Sequence, residues 1–239
     1  MKHIFYTGLL LLACLSAFAQ KGGDFYQISM YQTAGQAQTD SLSTYLQNTY
    51  VPRLHKAGFK TVGVFTSMQK DASAGQQVVV WVPLKSLDEL TKISLSPEAP
   101  KYIRLQNVVL SAFPKAQQFK LPHLNGPRAE HIFELRSYEG PTEERYLNKV
   151  KMFNVGDEVS LFARLNFNAV FYAHVLAGSR MPNLMYMTSF DNQAAHDAHW
   201  NTFNNDPQWK QLSGAAEYKG NVSKADIMLL HPTAYSDVY

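Results

Sequence analysis

Two stretches of this chain resemble each other at a fixed spacing of 107 residues. Phe25-Tyr26-Gln27-Ile28-Ser29-Met30-Tyr31 aligns with Ile132-Phe133-Glu134-Leu135-Arg136-Ser137-Tyr138; both alternate in polarity and end in Tyr. At the same spacing Pro100-Lys101-Tyr102 falls on Pro207-Gln208-Trp209. A shared offset at both ends of a unit implies two copies of one module of about 100 residues, a normal size for a compact domain.

Each half reads strand, helix, strand, strand, helix, strand. In the first, a strand at Phe25–Tyr31 precedes a helix that Thr39-Asp40 would cap, with Leu42, Tyr45, Leu46, Thr49 and Tyr50 on one face. Pro52 is expected to kink or end it. Strands follow at Lys60–Thr66 and Gln76–Val82, separated by a polar loop at Gln69–Gly75. A short helix spans Ser86–Ile93, a less regular stretch runs from Pro97 to Leu110, and a weak fourth strand lies near Gln117–Leu121. Pro122–Pro127 is rich in turn formers and is the expected linker. In the second half, strands fall at His131–Tyr138, Phe167–Leu176, Asn183–Phe190 and Lys224–His231. Thr142 and Asp191 supply helix caps, Gly156 breaks or bends the first helix, and Asp206-Pro207 opens a short helical turn. This order is the split βαβ of a ferredoxin-like unit. The expected fold is α+β: tandem ferredoxin-like modules packed sheet to sheet as an intramolecular dimeric α/β-barrel.

The chain opens with Lys2 and His3, an apolar run from Ile4 to Leu15, and Ala17-Phe18-Ala19, the pattern of a signal peptide cleaved before Gln20. The run is too short for a stable membrane span. Leu11-Leu12-Ala13-Cys14 resembles a lipobox, so acylation of Cys14 is the alternative. The modules then occupy residues 20–124 and 125–239, in a periplasmic or secreted protein. Cys14 is the single cysteine, so the mature chain has no thiolate metal site, thiol nucleophile or redox pair. Of 22 basic side chains, 21 remain after cleavage against 19 acidic ones, with no basic run and thus no sign of nucleic-acid binding.

The second half resembles the NIPSNAP family. Phe133-Glu134-Leu135-Arg136-Ser137-Tyr138 is similar to that family's YELRTY run, Asp206-Pro207-Gln208-Trp209 to its DPEW-like turn, and Leu230-His231-Pro232-Thr233-Ala234-Tyr235-Ser236 to its LRPTPYS-like ending. The first half departs: Gln27 replaces the Glu, Ser29 the Arg, and the Pro-Thr-x-Tyr-Ser ending is absent. The resemblance implies modules of the dimeric α/β-barrel group and a cavity, but no reaction.

Strand parity groups the candidate site. Phe133 and Leu135 share one face, expected to meet the helices; Glu134, Arg136 and Tyr138 share the other, expected to point into the barrel. Tyr26, Ile28 and Met30 against Gln27, Ser29 and Tyr31 repeat the split. Glu134 and Arg136 can form a structural ion pair, or Arg136 can act as a two-pronged donor to a carboxylate or polar ligand. Tyr172 and His174 share a strand face, and Tyr186 lies on a neighbouring strand. In that pocket His174 would serve as a general acid or base or as a haem ligand, or else be an ordinary hydrogen-bonded residue; no other cofactor is indicated. His196 and His199 lie one turn apart on a helix, but the segment lacks a zincin motif, and Trp200 and Phe203 fall on the same stripe.

Two functional classes follow. One is an exported module that binds a small polar or aromatic ligand or a protein partner, including a second copy of itself. The other is a small-molecule enzyme of the barrel group, an oxygenase or isomerase, using His174 and Arg136.

Overall fold

The computed structural model describes residues 23–68, 77–93 and 98–239. The expected signal peptide, Cys14 and the polar loop at Gln69–Gly75 lie outside the described residues. Eight antiparallel strands close into one barrel. They are β1 (Phe25–Gln32), β2 (Gly63–Ser67), β3 (Gln77–Leu84), β4 (Arg104–Ala112), β5 (Ile132–Glu139), β6 (Phe171–Ala177), β7 (Asn183–Phe190) and β8 (Lys224–Pro232). The order around the barrel is β1-β3-β2-β8-β5-β7-β6-β4. Within each half the fourth strand therefore neighbours the first, the first the third, and the third the second. The halves join where β2 pairs with β8 and β4 with β6.

The first helical arm differs from expectation. Helix α1 (Gln36–Tyr45) starts after Gly35, and Thr39 is buried inside it, its hydroxyl 2.6 Å from that of Thr33. Pro52 does not end the arm. A π-helical turn at Leu46–Tyr50 leads into α2 (Val51–Lys56), where Pro52 occupies the first turn. Proline has no N–H and clashes with the carbonyl four residues back, so the widened turn takes up the misfit and the chain stays helical. The Ser86–Ile93 segment is a 3₁₀ helix at Leu87–Lys92. No strand forms at Gln117–Leu121. The fourth strand is β4, within the stretch read as irregular, because its alternate residues Val108, Leu110 and Ala112 are the ones that enter the core.

The second half follows its local signals more closely. The Thr142 hydroxyl accepts from the Arg145 N–H and starts α3 (Glu143–Asn154), which ends before Gly156; α4 (Glu158–Arg164) follows. Asn192, not Asp191, caps α5 (Gln193–Asn205), and the Asp206 carboxylate caps α6 (Pro207–Gly214).

The two sheet faces are the reverse of the expected assignment. Phe133 and Leu135 point into the barrel together with Tyr26, Ile28, Phe65, Trp81, Phe171 and Leu230. Glu134, Arg136 and Tyr138 point outward, beneath the helices. A closed barrel buries both sheet faces, so apolar character does not mark the helix side. The lumen, which receives a side chain from every strand and no backbone polar partner, takes the more uniformly apolar set. Separate helix-side cores cover the two halves, one around Leu42, Leu46, Leu54 and Val80, the other around Phe153, Phe162, Tyr172 and Phe203.

Candidate functional site

Alternation along β5 delivers Glu134, Arg136 and Tyr138 to the outer face, and the register sets Tyr186 of β7 opposite Arg136. Arg136 Nε donates to Glu134 Oε1 at 2.5 Å, and its Nη1 donates to the Tyr138 hydroxyl at 2.9 Å. The Tyr138 and Tyr186 hydroxyls lie 3.0 Å apart. Helix α5 closes over this row. His196 Nε2 is 2.9 Å from Glu134 Oε2, and the Trp200 indole N–H donates to the same oxygen at 2.5 Å. The Arg136 guanidinium carbon sits 3.7 Å from the centre of the Trp200 ring, a cation–π contact.

With Glu134 only 1 % exposed, these contacts decide its charge. Burial pushes its carboxyl up, but the His196 hydrogen bond, the Arg136 charge and the Trp200 N–H outweigh it, and the pKa falls below the usual value. Burial likewise disfavours the charged His196, yet its bonds to Glu134 and Asp197 prevail and raise its pKa. A second buried pair stands beside the first: Lys149 Nζ of α3 donates to Glu158 Oε2 of α4 at 2.9 Å. Here burial dominates, and the Glu158 pKa is raised despite Lys149.

Both pairs line one cavity of about 580 Å³ between the sheet and α3–α6, within the range of small-molecule sites. Its other walls are largely aromatic: Phe162, Trp200, Phe203 and Trp209. The Asp206 cap accepts from the Trp209 N–H and so fixes the start of α6 there. Arg136 Nε is engaged by Glu134 and Nη1 gives one bond to Tyr138, while Nη2 has no hydrogen bond among the described residues and faces a ligand as a donor.

The sequence-derived set divides. Glu134, Arg136, Tyr138 and Tyr186 meet at the cavity. Tyr172 stacks on Tyr186, with ring centres 5.6 Å apart, but lies behind it. His174 is elsewhere: its Nδ1 is 2.7 Å from the Tyr146 hydroxyl, its ring packs on Phe113, and burial lowers its pKa. It does not line the Arg136 cavity, so a haem ligated by His174 does not fit this site. His196 and His199 part company, His199 Nδ1 bonding the Ala195 carbonyl at 2.7 Å. Lys149 and Glu158 went unread because the contact joins two helices. His196, Trp200 and Phe203 carried a signal, a helical stripe, but not its target.

In the first half, a smaller cavity of about 200 Å³ is lined by Gln27, Ser29, Tyr31, Tyr50 and Asn107. Gln27, Ser29 and Asn107 form a neutral hydrogen-bonded chain where the second half has its ion pair.

Fold and site together define an intramolecular dimeric α/β-barrel protein. Residues 133–237 match the NIPSNAP family model. Among solved structures, a candidate monooxygenase from Lactobacillus acidophilus superposes with a TM-score of 0.60 at 11% identity, covering 90% of this chain and 97% of its own. One from Fusobacterium nucleatum gives 0.58 at 8%, covering 91% and 98%. An anthrone oxidase-like protein gives 0.59 at 9%, covering 88% and 92%. At such identities the likeness is one of fold. No curated protein matches the chain. No helix among the described residues is long and apolar enough to cross a membrane.

Proposed function

We propose that this is an exported protein whose second module binds a small aromatic carboxylate in the helix-side cavity. The observation that carries the reading is the unused Nη2 of Arg136 beside a cavity walled by Phe162, Trp200, Phe203 and Trp209. An arginine nitrogen whose neighbours are already fixed is a preorganised donor to a carboxylate, and the aromatic walls suit a ring. Export rests on the apolar run before Ala17-Phe18-Ala19. Processing there leaves modules at 20–124 and 125–239.

Purified residues 20–239 should quench in tryptophan fluorescence on titration with 4-hydroxybenzoate, and native mass spectrometry should report any ligand carried from the host. Arg136→Ala should weaken binding by about 1.5–3 kcal/mol, the range for a hydrogen bond to a charged group. The Glu134→Gln, Arg136→Met double variant removes both charges together. If it melts normally and binds as the wild type does, the assignment is wrong. The protein from its native host should begin at Gln20; a diacylglyceryl group on Cys14 would instead establish the lipoprotein.

A second reading, an enzyme of oxygenase or isomerase type, draws on Glu158, a cavity-lining carboxyl whose raised pKa suits proton transfer. Turnover lost in Glu158→Gln but retained in Lys149→Met would favour it.

A further inference from the structure

The barrel lumen is packed unevenly. Toward one end Tyr26, Trp81 and Phe171 stack on one another, with centroids 5.1–5.9 Å apart, and Phe65 lies 4.8 Å from Phe133. The other end has no aromatic lining. There a cavity of about 300 Å³ opens among Met30, Val108, Leu135, Val175, Met185 and Met228. These come from six strands and are the inward residues of each, so this space lies across the sheet from the Arg136 cavity.

We propose that this lumen cavity is a second binding site, for an uncharged aliphatic molecule bearing a hydroxyl group. Three observations select that class. Methionine thioethers are flexible and polarizable, and adapt to aliphatic shapes without demanding one. The charges at the mouth balance: Arg180 pairs with Asp226 and lies 3.3 Å from Glu139, while Lys224 lies 3.7 Å from Asp226. Two cations meet two carboxylates, which leaves nothing to attract an ion. The polar wall is otherwise amide and hydroxyl. Asn183, 3 % exposed, donates to Ser137 Oγ at 2.8 Å, and its own Oδ1 has no partner among the described residues. A buried acceptor without a donor costs free energy, and a hydroxyl reached by a small rotation of the amide would relieve that cost.

The methionines make the test. With ¹³C-methyl methionine in residues 20–239 and 1-hexanol as the probe, the Met30, Met185 and Met228 methyl signals should shift together and saturate. Met152, whose sulfur lies 3.2 Å from Lys149 Nζ on the helix side, should stay still and so separates this site from the other cavity. Val175→Phe, which fills the space, should weaken the response at least tenfold; Met30→Phe serves in its place if that variant does not fold. Hexanoate should bind at least tenfold more weakly than hexanol. The proposal is overturned if millimolar hexanol leaves the three lumen methyls unmoved, if the filled variant responds as the wild type does, or if hexanoate matches hexanol.

Discussion

Trp200 donates its indole N–H to Glu134 at 2.5 Å while its ring face carries the Arg136 guanidinium at 3.7 Å. One helix residue thus contacts both members of a strand ion pair, fixing the carboxylate through an edge and the cation through a face. The pair is held from outside as well as from within, and the helix α5 docks on charge as well as on apolar area.

Breaking this pair one side at a time should be costly. Glu134→Gln leaves Arg136 buried without its counter-charge, and loss of one partner of a buried pair costs about 3–5 kcal/mol. The Glu134→Gln, Arg136→Met double variant should lose less than either single change, since no isolated charge remains. Urea unfolding of the four species forms the cycle that checks this. Additive losses would show that the two side chains do not act as a pair.

Acid and alkali should weaken the site by different groups. The lowered Glu134 pKa means that its contribution is present above its ordinary value of about 4.5 and is lost as pH falls through the folded value. The raised His196 pKa has the opposite sign: its contribution is full below about pH 6.5 and disappears as pH rises through the folded value. Asp197 and Glu134 are the acids facing that imidazole, and Arg136 the nearby cation. Glu158 also opposes folding as pH climbs from about 4.5, because its folded pKa is raised. Melting temperatures across pH 4–9 should therefore lose part of their slope from about pH 6.5 upward in His196→Gln and from about pH 4.5 upward in Glu158→Gln. Unchanged profiles in both variants would contradict these assignments.

The Tyr26 hydroxyl is fully buried in the lumen and has no hydrogen-bond partner among the described residues. Removing an unsatisfied polar group while keeping the ring and its stacking on Trp81 should help. Tyr26→Phe is expected to stabilise by about 1 kcal/mol, raising the midpoint of urea unfolding. A loss of stability would indicate an internal water or a donor bond at that hydroxyl.

How much of this was legible depended on distance along the chain. Period-two alternation is local, so Glu134, Arg136 and Tyr138 were grouped correctly from sequence. Which side of the sheet they occupy is not local, because Phe133 and Leu135 would look the same against helices or inside a barrel. Pro52 was expected to kink or end the helix; the regular α-helix does give way before it, but to a π turn that keeps the arm helical, a response of the whole arm. The Asn183–Phe190 strand was read in full, whereas β4 was missed because only every second residue from Val108 onward is buried. His196 and Trp200 stood on a visible stripe, yet nothing in the sequence states that the stripe lands on Glu134.

The barrel seams make the last prediction. β8 reaches β2 through Phe65–Pro232, Thr66–His231 and Ser67–Leu230, and β6 reaches β4 through a register that includes Ser111–His174 and Ala112–Ala173. Residues 128–239 expressed alone would expose both edges. They would also uncover the lumen side of β5–β8, where Phe133, Leu135, Phe171, Met187 and Leu230 are buried by the other half. Unpaired edges flanking a large apolar face seek a partner, so the fragment should dimerise, aggregate or fold poorly. Light scattering coupled to size exclusion, with an amide NMR spectrum, distinguishes these outcomes. A monodisperse, well-dispersed monomer would show that the second half folds without the first, and the barrel would then be an assembly of two independent domains.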